Sequence, residues 1–310
     1  MKGLCHIFIC GLARSGTTKM LIDVSSDNRW GTLRYSSMPF ILWPRLAAIT
    51  EELNLGPELV SKRDHGDDID ISISSPESLD EPFWKIVRES AWFNEDEYNE
   101  KTSTLYLRFL DSHAIARKKR GMVIKNNHNL FRLESLVEAS RNNIFVIMVR
   151  NPYEQSKSLL STHMKISSLE DEEEFAGEYL DLLGHVDFGR GLDTSRFASE
   201  DKSLEIEESF TMKFWLEAWL ISYRRILESG IVLRSGVVTV CYEDICTDCE
   251  YRKRVEAKIG CRWKEAKEWR LSDRLKDNSD QRCEGNSYEV MEQCFQIYDQ
   301  LRLLSIKHLC

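Results

Sequence analysis

The segment that most constrains the fold is an apolar strand that runs directly into a glycine-framed turn and a helix. Residues 6–10 are an apolar run, and residues 11–18 read GLARSGTT. A strand, turn and helix in this order direct backbone N–H groups and a helix N-terminus toward one point, where an anion, usually a phosphate, binds. The spacing Gly11-x4-Gly16 is that of a P-loop. The segment therefore predicts a phosphate site at the end of a strand.

The residue after the second glycine separates this loop from that of a nucleoside triphosphatase. Thr17 stands where the P-loop has lysine, and the cation of the loop is Arg14 instead. The missing lysine is the one that holds the β- and γ-phosphates of ATP or GTP. Its absence argues against phosphoryl transfer from a nucleoside triphosphate.

A second anion site is predicted after another buried strand. Residues 144–149 are an apolar run with several β-branched members, as in the central strand of a parallel sheet. Arg150 follows directly, and Ser158 comes eight residues later on the expected helix. A guanidinium fork and a hydroxyl near a helix start are suitable partners for a dianion.

Strands alternate with helices along the rest of the chain, which predicts an α/β fold with a central parallel sheet flanked by helices. Further strands are expected at 122–124 and 237–242, and helices at 105–119, 130–139, 209–228 and 289–304. We expect a single domain over residues 1–310, with an insertion around 30–100 that forms the wall or lid of a substrate cleft. Residues 62–81 are polar and acidic and are predicted to be a loop rather than a core element.

Composition excludes several classes of partner. The net charge of −9, from 42 Lys and Arg against 51 Asp and Glu, disfavours nonspecific binding to nucleic acid or to an anionic membrane. Neither a targeting segment nor an apolar run of membrane-spanning length is visible, so a cytoplasmic protein is expected. The nine cysteines are scattered, and the lone CxxC at 246–249 lacks a second pair, so no metal is expected.

Four segments stand in the order found in one enzyme family. They are residues 11–18, 125–128, 150–158 and 242–245. Together they resemble the motifs of sulfotransferases that use 3′-phosphoadenosine 5′-phosphosulfate (PAPS). The resemblance implies a P-loop-like sulfotransferase architecture and in-line transfer of a sulfuryl group from PAPS to a hydroxyl or amine of a small-molecule acceptor. The product is 3′-phosphoadenosine 5′-phosphate (PAP), and no metal is required.

The resemblance also implies a role for each motif residue. Arg14 would neutralise the leaving oxygen, and Lys125 would stabilise the transferring group. The residues implied in cofactor binding are Arg14, Ser15, Gly16, Thr17 and Thr18 at the 5′-phosphate, Arg150 and Ser158 at the 3′-phosphate, and Tyr242 near the adenine. The family's basic carboxyl-terminal loop has only a poor counterpart in residues 277–282, which offer Arg282.

The base that deprotonates the acceptor is left open between several histidines. His128 follows Lys125 at a strand end, and neutral imidazole is well matched to proton abstraction near pH 7. His65, in the acidic loop, is the rival, and His163 and His185 are further candidates.

Two other functions remain open at this stage. The first is a small-molecule kinase with an aberrant P-loop, in which Asp244 would be the magnesium ligand. The second is a protein that binds PAP or PAPS without catalysis. The acceptor is not specified by the sequence, but the aromatic residues of 30–43 and the acidic loop at 64–70 favour a partly apolar or cationic one.

Overall fold

A computed structural model describes residues 3–53, 61–62, 70–89, 98–172, 187–198, 203–262, 269, 271 and 287–309. The strands are β1 (Ile7–Cys10), β2 (Ser61–Lys62), β3 (Asp70–Ile71), β4 (Val123–Lys125), β5 (Ile144–Val149) and β6 (Val237–Cys241). The first helices are α1 (Thr17–Ser25), α2 (Pro44–Leu53), α3 (Glu81–Glu89), α4 (Glu100–Ala116) and α5 (Leu133–Ala139). The later helices are α6 (Pro152–Glu172), α7 (Met212–Glu228), α8 (Tyr242–Thr247), α9 (Cys249–Ile259) and α10 (Ser287–Leu309).

The main sheet has four strands in the order β4-β1-β5-β6, and every neighbouring pair is parallel. Its strands are buried on both faces, as their continuous apolar sequences predict. Strands β2 and β3 form a separate antiparallel pair. The predicted α/β fold, a parallel sheet flanked by helices, is confirmed.

The two faces of the sheet are covered by different helices. Alternate β1 side chains point to opposite faces: Ile7 and Ile9 pack in one apolar cluster with residues of α1 and α9. Phe8 and Cys10 pack in the other, with residues of α4, α7 and α10. Because the strands are parallel, their carboxyl ends lie at one edge, where the loops after β1, β4, β5 and β6 meet.

One part of the sequence interpretation is wrong. The acidic stretch at 62–81 was predicted to be a loop outside the core, but Glu77, Asp80 and Glu81 are buried, and Glu81 begins α3. The physical reason is that the fold buries cations opposite them. Arg132, with 1% of its surface exposed, donates to both carboxylate oxygens of Glu81 at 2.8 and 3.1 Å. A buried guanidinium requires a paired carboxylate.

Among the described residues, no helix combines the length and the apolar character that crossing a bilayer requires.

Candidate functional site

The loop after β1 has the conformation of an anion cradle. Gly16 (φ 94°) is the N-cap of α1, and Arg14 (φ 67°) also adopts the left-handed conformation, which costs a residue with a side chain about 1–2 kcal/mol. A Cβ atom on Gly16 would lie 2.6 Å from Cδ2 of Tyr242, so glycine is needed there for space as well as for φ. Thr17 and Thr18 form the first turn of α1, where backbone N–H groups have no partner within the helix.

The two predicted phosphate motifs meet at this loop. Nε of Arg14 donates to Oγ of Ser158 at 2.9 Å, and Nη1 of Arg150 donates to the carbonyl oxygen of Arg14 at 2.9 Å. The guanidinium of Arg150 lies over the ring of Tyr242, with Cζ 4.9 Å from the ring centre. Residues from the loops after β1, β5 and β6 therefore form one cationic group. Within this group, the guanidinium of Arg14 points toward Ser158.

Helices α6 and α7 hold the loop in place through residues that sequence reasoning missed. Nε2 of Gln155 donates to the carbonyl oxygens of Leu12 and Ala13 at 3.3 and 2.9 Å, and its Oε1 accepts from Nε1 of Trp219 at 2.9 Å. The hydroxyl of Tyr223 accepts from the N–H of Leu12 at 3.3 Å. Gln155 lies between the motif residues Arg150 and Ser158, but a single glutamine in a helix gives no sequence signal of burial.

A hydrogen-bonded chain connects the loop to the end of β4. The hydroxyl of Thr17 donates to Oδ1 of Asn127 at 3.4 Å, and Nδ2 of Asn127 donates to Oδ2 of Asp187 at 2.9 Å. Oδ1 of Asp187 lies 2.8 Å from Nε2 of His128. The structure thus brings His128 within two side chains of the loop. Asp187 was not among the site residues expected from the sequence.

His128 is buried between two carboxylates. Besides Asp187, Oε2 of Glu81 lies 3.2 Å from its Nδ1, close enough for an ion pair but without the geometry of a hydrogen bond. Burial by itself would lower the pKa of His128, but the charges of Asp187 and Glu81 outweigh it and raise the pKa. The pKa of Asp187 is lowered in turn: His128 and Arg196 overcome the opposing effect of burial.

Lys125, at the end of β4, is buried on the same side of the sheet edge. Its Nζ is 3.9 Å from Oε1 of Glu77. Both side chains are about 95% buried. The carboxylate of Glu77 therefore compensates the buried ammonium group of Lys125, three residues before His128.

The other candidate bases have different positions. His65, His185 and the segment 277–282 with Arg282 lie outside the described residues. Nδ1 of His163 accepts from the N–H of Gly189 at 3.2 Å, and its Nε2 lies 3.0 Å from the hydroxyl of Ser209. Burial lowers the pKa of His163, so the ring is neutral and both nitrogens are engaged. It supports the segment that carries Asp187.

Structural comparison finds similar proteins at low identity. A sulfotransferase from Mycobacterium avium is 12% identical, with a match over 97% of this chain and 69% of that chain and a TM-score of 0.48. One from Mycobacterium tuberculosis is 14% identical over 97% and 76%, with a TM-score of 0.46. One from Alicyclobacillus acidocaldarius is 16% identical over 97% and 95%, with a TM-score of 0.44. No protein-family model and no curated protein matches the sequence.

Proposed function

We propose that the protein transfers a sulfuryl group from PAPS to a hydroxyl or amine of a small-molecule acceptor by in-line displacement. The observation that carries the proposal is the convergence of Arg14, Arg150 and Ser158 on one glycine-framed loop at a helix start. Two arginines beside a helix N-terminus suit a ligand with two phosphate groups. A cytoplasmic location, as predicted from the sequence, is part of this proposal.

The residues present fit such a ligand. Nε of Arg150 is buried and has no hydrogen-bond partner among the described residues, although a buried charged donor ordinarily has one. PAPS, when bound, would supply the sulfuryl group and a phosphate leaving group. The loop residues Ser15, Gly16, Thr17 and Thr18 would hold its 5′-phosphate, and Arg150 and Ser158 its 3′-phosphate, with Tyr242 near the base.

The chain's own groups supply charge and proton transfer. Arg14 neutralises negative charge at the leaving oxygen, but its guanidinium does not donate a proton to it. Lys125, at the end of β4, would stabilise the transferring group, because preorganised cations lower the barrier where charge develops. His128 takes the acceptor proton, and Glu81 stabilises the imidazolium that forms.

The kinase alternative lacks its metal ligand. Asp244, the carboxylate that would bind magnesium, instead accepts from Nε and Nη2 of Arg302 at 3.0 and 2.5 Å. A carboxylate occupied by a bidentate arginine is a poor ligand for a second cation.

Calorimetric titration with PAP tests the proposal, with ADP and ATP–Mg²⁺ as controls. We expect micromolar or tighter binding of PAP and little binding of the others, because only PAP has a 3′-phosphate for Arg150. Arg150→Ala should weaken PAP binding by about 2–4 kcal/mol, the cost of removing one side of a buried charge-assisted contact.

Lys157→Ala is the matched control, since Lys157 is an exposed cation on the same helix. The affinity of the Lys157→Ala variant for PAP should equal that of the unmodified protein. Equal affinity of the Arg150 variant and the unmodified protein would remove the 3′-phosphate assignment. Preference for ATP–Mg²⁺ would favour the kinase, and PAP binding without turnover of any acceptor with PAPS would favour the non-catalytic binding protein.

A further inference from the structure

Arg196 is a buried arginine whose donors are only partly used. It lies in a short 3₁₀ turn, Thr194–Phe197, and 3% of its side chain is exposed. Its Nε is 3.2 Å from Oδ2 of Asp193, and its Nη1 is 3.9 Å from Oδ1 of Asp187. Its Nη2 has no hydrogen-bond partner among the described residues.

The two carboxylates beside Arg196 do not satisfy that nitrogen. Oδ1 of Asp187 already binds Nε2 of His128, and Oδ2 accepts from Nδ2 of Asn127. Oδ1 of Asp193 accepts from the N–H of Ser195 at 3.1 Å. A charged N–H that is buried without an acceptor is costly, and a carboxylate oxygen is the acceptor that a guanidinium binds most strongly. The unused Nη2 therefore points to an anionic oxygen from a ligand.

The position of Arg196 indicates which ligand supplies this anionic oxygen. The contacts run in the order Thr17, Asn127, Asp187 and Arg196, so Asp187 and Asn127 separate Arg196 from the phosphate loop. Asp187 presents one oxygen to the loop side, through Asn127, and the other to His128 and Arg196. Arg196 and His128 approach the same oxygen of Asp187, so the unused donor lies beside the candidate base, where an acceptor has to lie.

We propose that Arg196 binds a carboxylate group of the acceptor and so makes the enzyme selective for hydroxy or amino acids over neutral and cationic acceptors. This inference rests on the proposed sulfuryl transfer. The proposal differs from the expectation of a cationic acceptor, which came from the acidic loop at 64–70, most of which lies outside the described residues.

The test titrates acetate into protein labelled with ¹⁵N-arginine, with PAP present to fill the phosphate sites. The resonance of the Arg196 side chain is assigned by its absence in Arg196→Gln and, independently, in Arg196→Lys. We expect this resonance to shift saturably with acetate, with a Kd on the order of 1–100 mM for so small a probe. Acetamide, which has the same shape without the charge, should leave it unshifted.

Arg190→Gln is the matched control, because Arg190 is an exposed arginine six residues away whose side chain is 66% exposed. The saturable shift of Arg196 should persist in that variant. Absence of a saturable shift, or an equal shift with acetamide, overturns the proposal and leaves Arg196 as a support of Asp187. The same titration is repeated without PAP and monitors the same Arg196 resonance. Failure of PAP to bind therefore overturns the assignment of the donor, whereas the acetate titration still decides the carboxylate site.

Discussion

At the residue scale, the surroundings of His128 restrict how it acts as a base. Both ring nitrogens face carboxylates, so an acceptor hydroxyl reaches the ring only by replacing one of them. Asp187 has 26% of its side chain exposed against 7% for Glu81, which makes the Asp187 side the open one. Glu81 is held by Arg132 and remains in place to stabilise the imidazolium.

His128→Ala should reduce turnover by about two to four orders of magnitude, because general-base catalysis contributes about that much. The affinity for PAP should stay nearly unchanged, since the described hydrogen bonds connect His128 to the loop through Asp187 and Asn127. Steady-state kinetics with PAPS and calorimetry with PAP measure the two effects separately. If His65→Ala abolishes turnover and His128→Ala does not, the base role passes to the acidic loop.

At the scale of elements, the phosphate loop depends on its packing against α6 and α8. Gln155 of α6 fixes two of its carbonyl groups, and Tyr242 of α8 fits against Gly16. Gly16 and Gly230 both have a left-handed φ, but a Cβ atom on Gly230 meets nothing within 4 Å. Comparison of Gly16 with Gly230 therefore separates the free-energy cost of a left-handed backbone from the cost of a steric clash with the added Cβ atom.

Gly16→Ala should therefore cost more stability than Gly230→Ala. The backbone contribution is about 1–2 kcal/mol in both variants, and displacement of Tyr242 should add about 1 kcal/mol or more for Gly16→Ala only. Urea denaturation gives both free energies of unfolding. Gly16→Ala should also weaken PAP binding, whereas Gly230→Ala should not. Equal costs for the two variants would contradict the packing of Tyr242 on the loop.

At the scale of the whole molecule, the sheet edge gathers a buried group of opposite charges from distant parts of the chain. Glu81 comes from α3, His128 and Arg132 come from the segment between β4 and α5, and Asp187 comes from the segment after α6. Their mutual contacts tie these elements together. Stability should consequently depend on the protonation of His128.

Because the pKa of His128 is raised in the folded protein, its stabilising contribution is complete below its unfolded pKa of about 6.5 and is lost as pH rises through the folded pKa. The difference in unfolding free energy between the unmodified protein and His128→Gln should be about 3–5 kcal/mol near pH 6 and shrink toward pH 9. Denaturation curves across this range measure it.

His113→Gln is the matched control. Burial, with Arg117 beside it, lowers the pKa of His113 to about 3, so this buried histidine stays neutral across the same range. Only unfolded His113 gains a proton below about pH 6.5, so its substitution should cost slightly less at pH 6 than at pH 9, the opposite direction to His128→Gln. A difference for His128→Gln that does not shrink toward pH 9 would mean that the imidazolium is not stabilised in the fold.

The sequence by itself determined the α/β fold and the parallel sheet, because buried strands, glycine turns and helices each leave a local pattern. It also predicted Arg14, Gly16, Arg150 and Ser158 as phosphate-binding residues, and that assignment stays a prediction. Their convergence follows from the topology, because parallel strands share one edge, but the contact between Arg14 and Ser158 was not predicted.

Only the tertiary structure decided the partners of those residues. Glu81, Asp187 and Gln155 lie in polar or acidic segments that look solvent-exposed in sequence, and each is placed by a contact with a residue far along the chain. Arg196 is placed beside Asp187, which His128 holds. Periodicity reports which face of an element is apolar, but the pairing of buried charges depends on which elements the fold brings together. For that reason the sequence predicted the phosphate loop, and the structure alone revealed the charge pairs around His128.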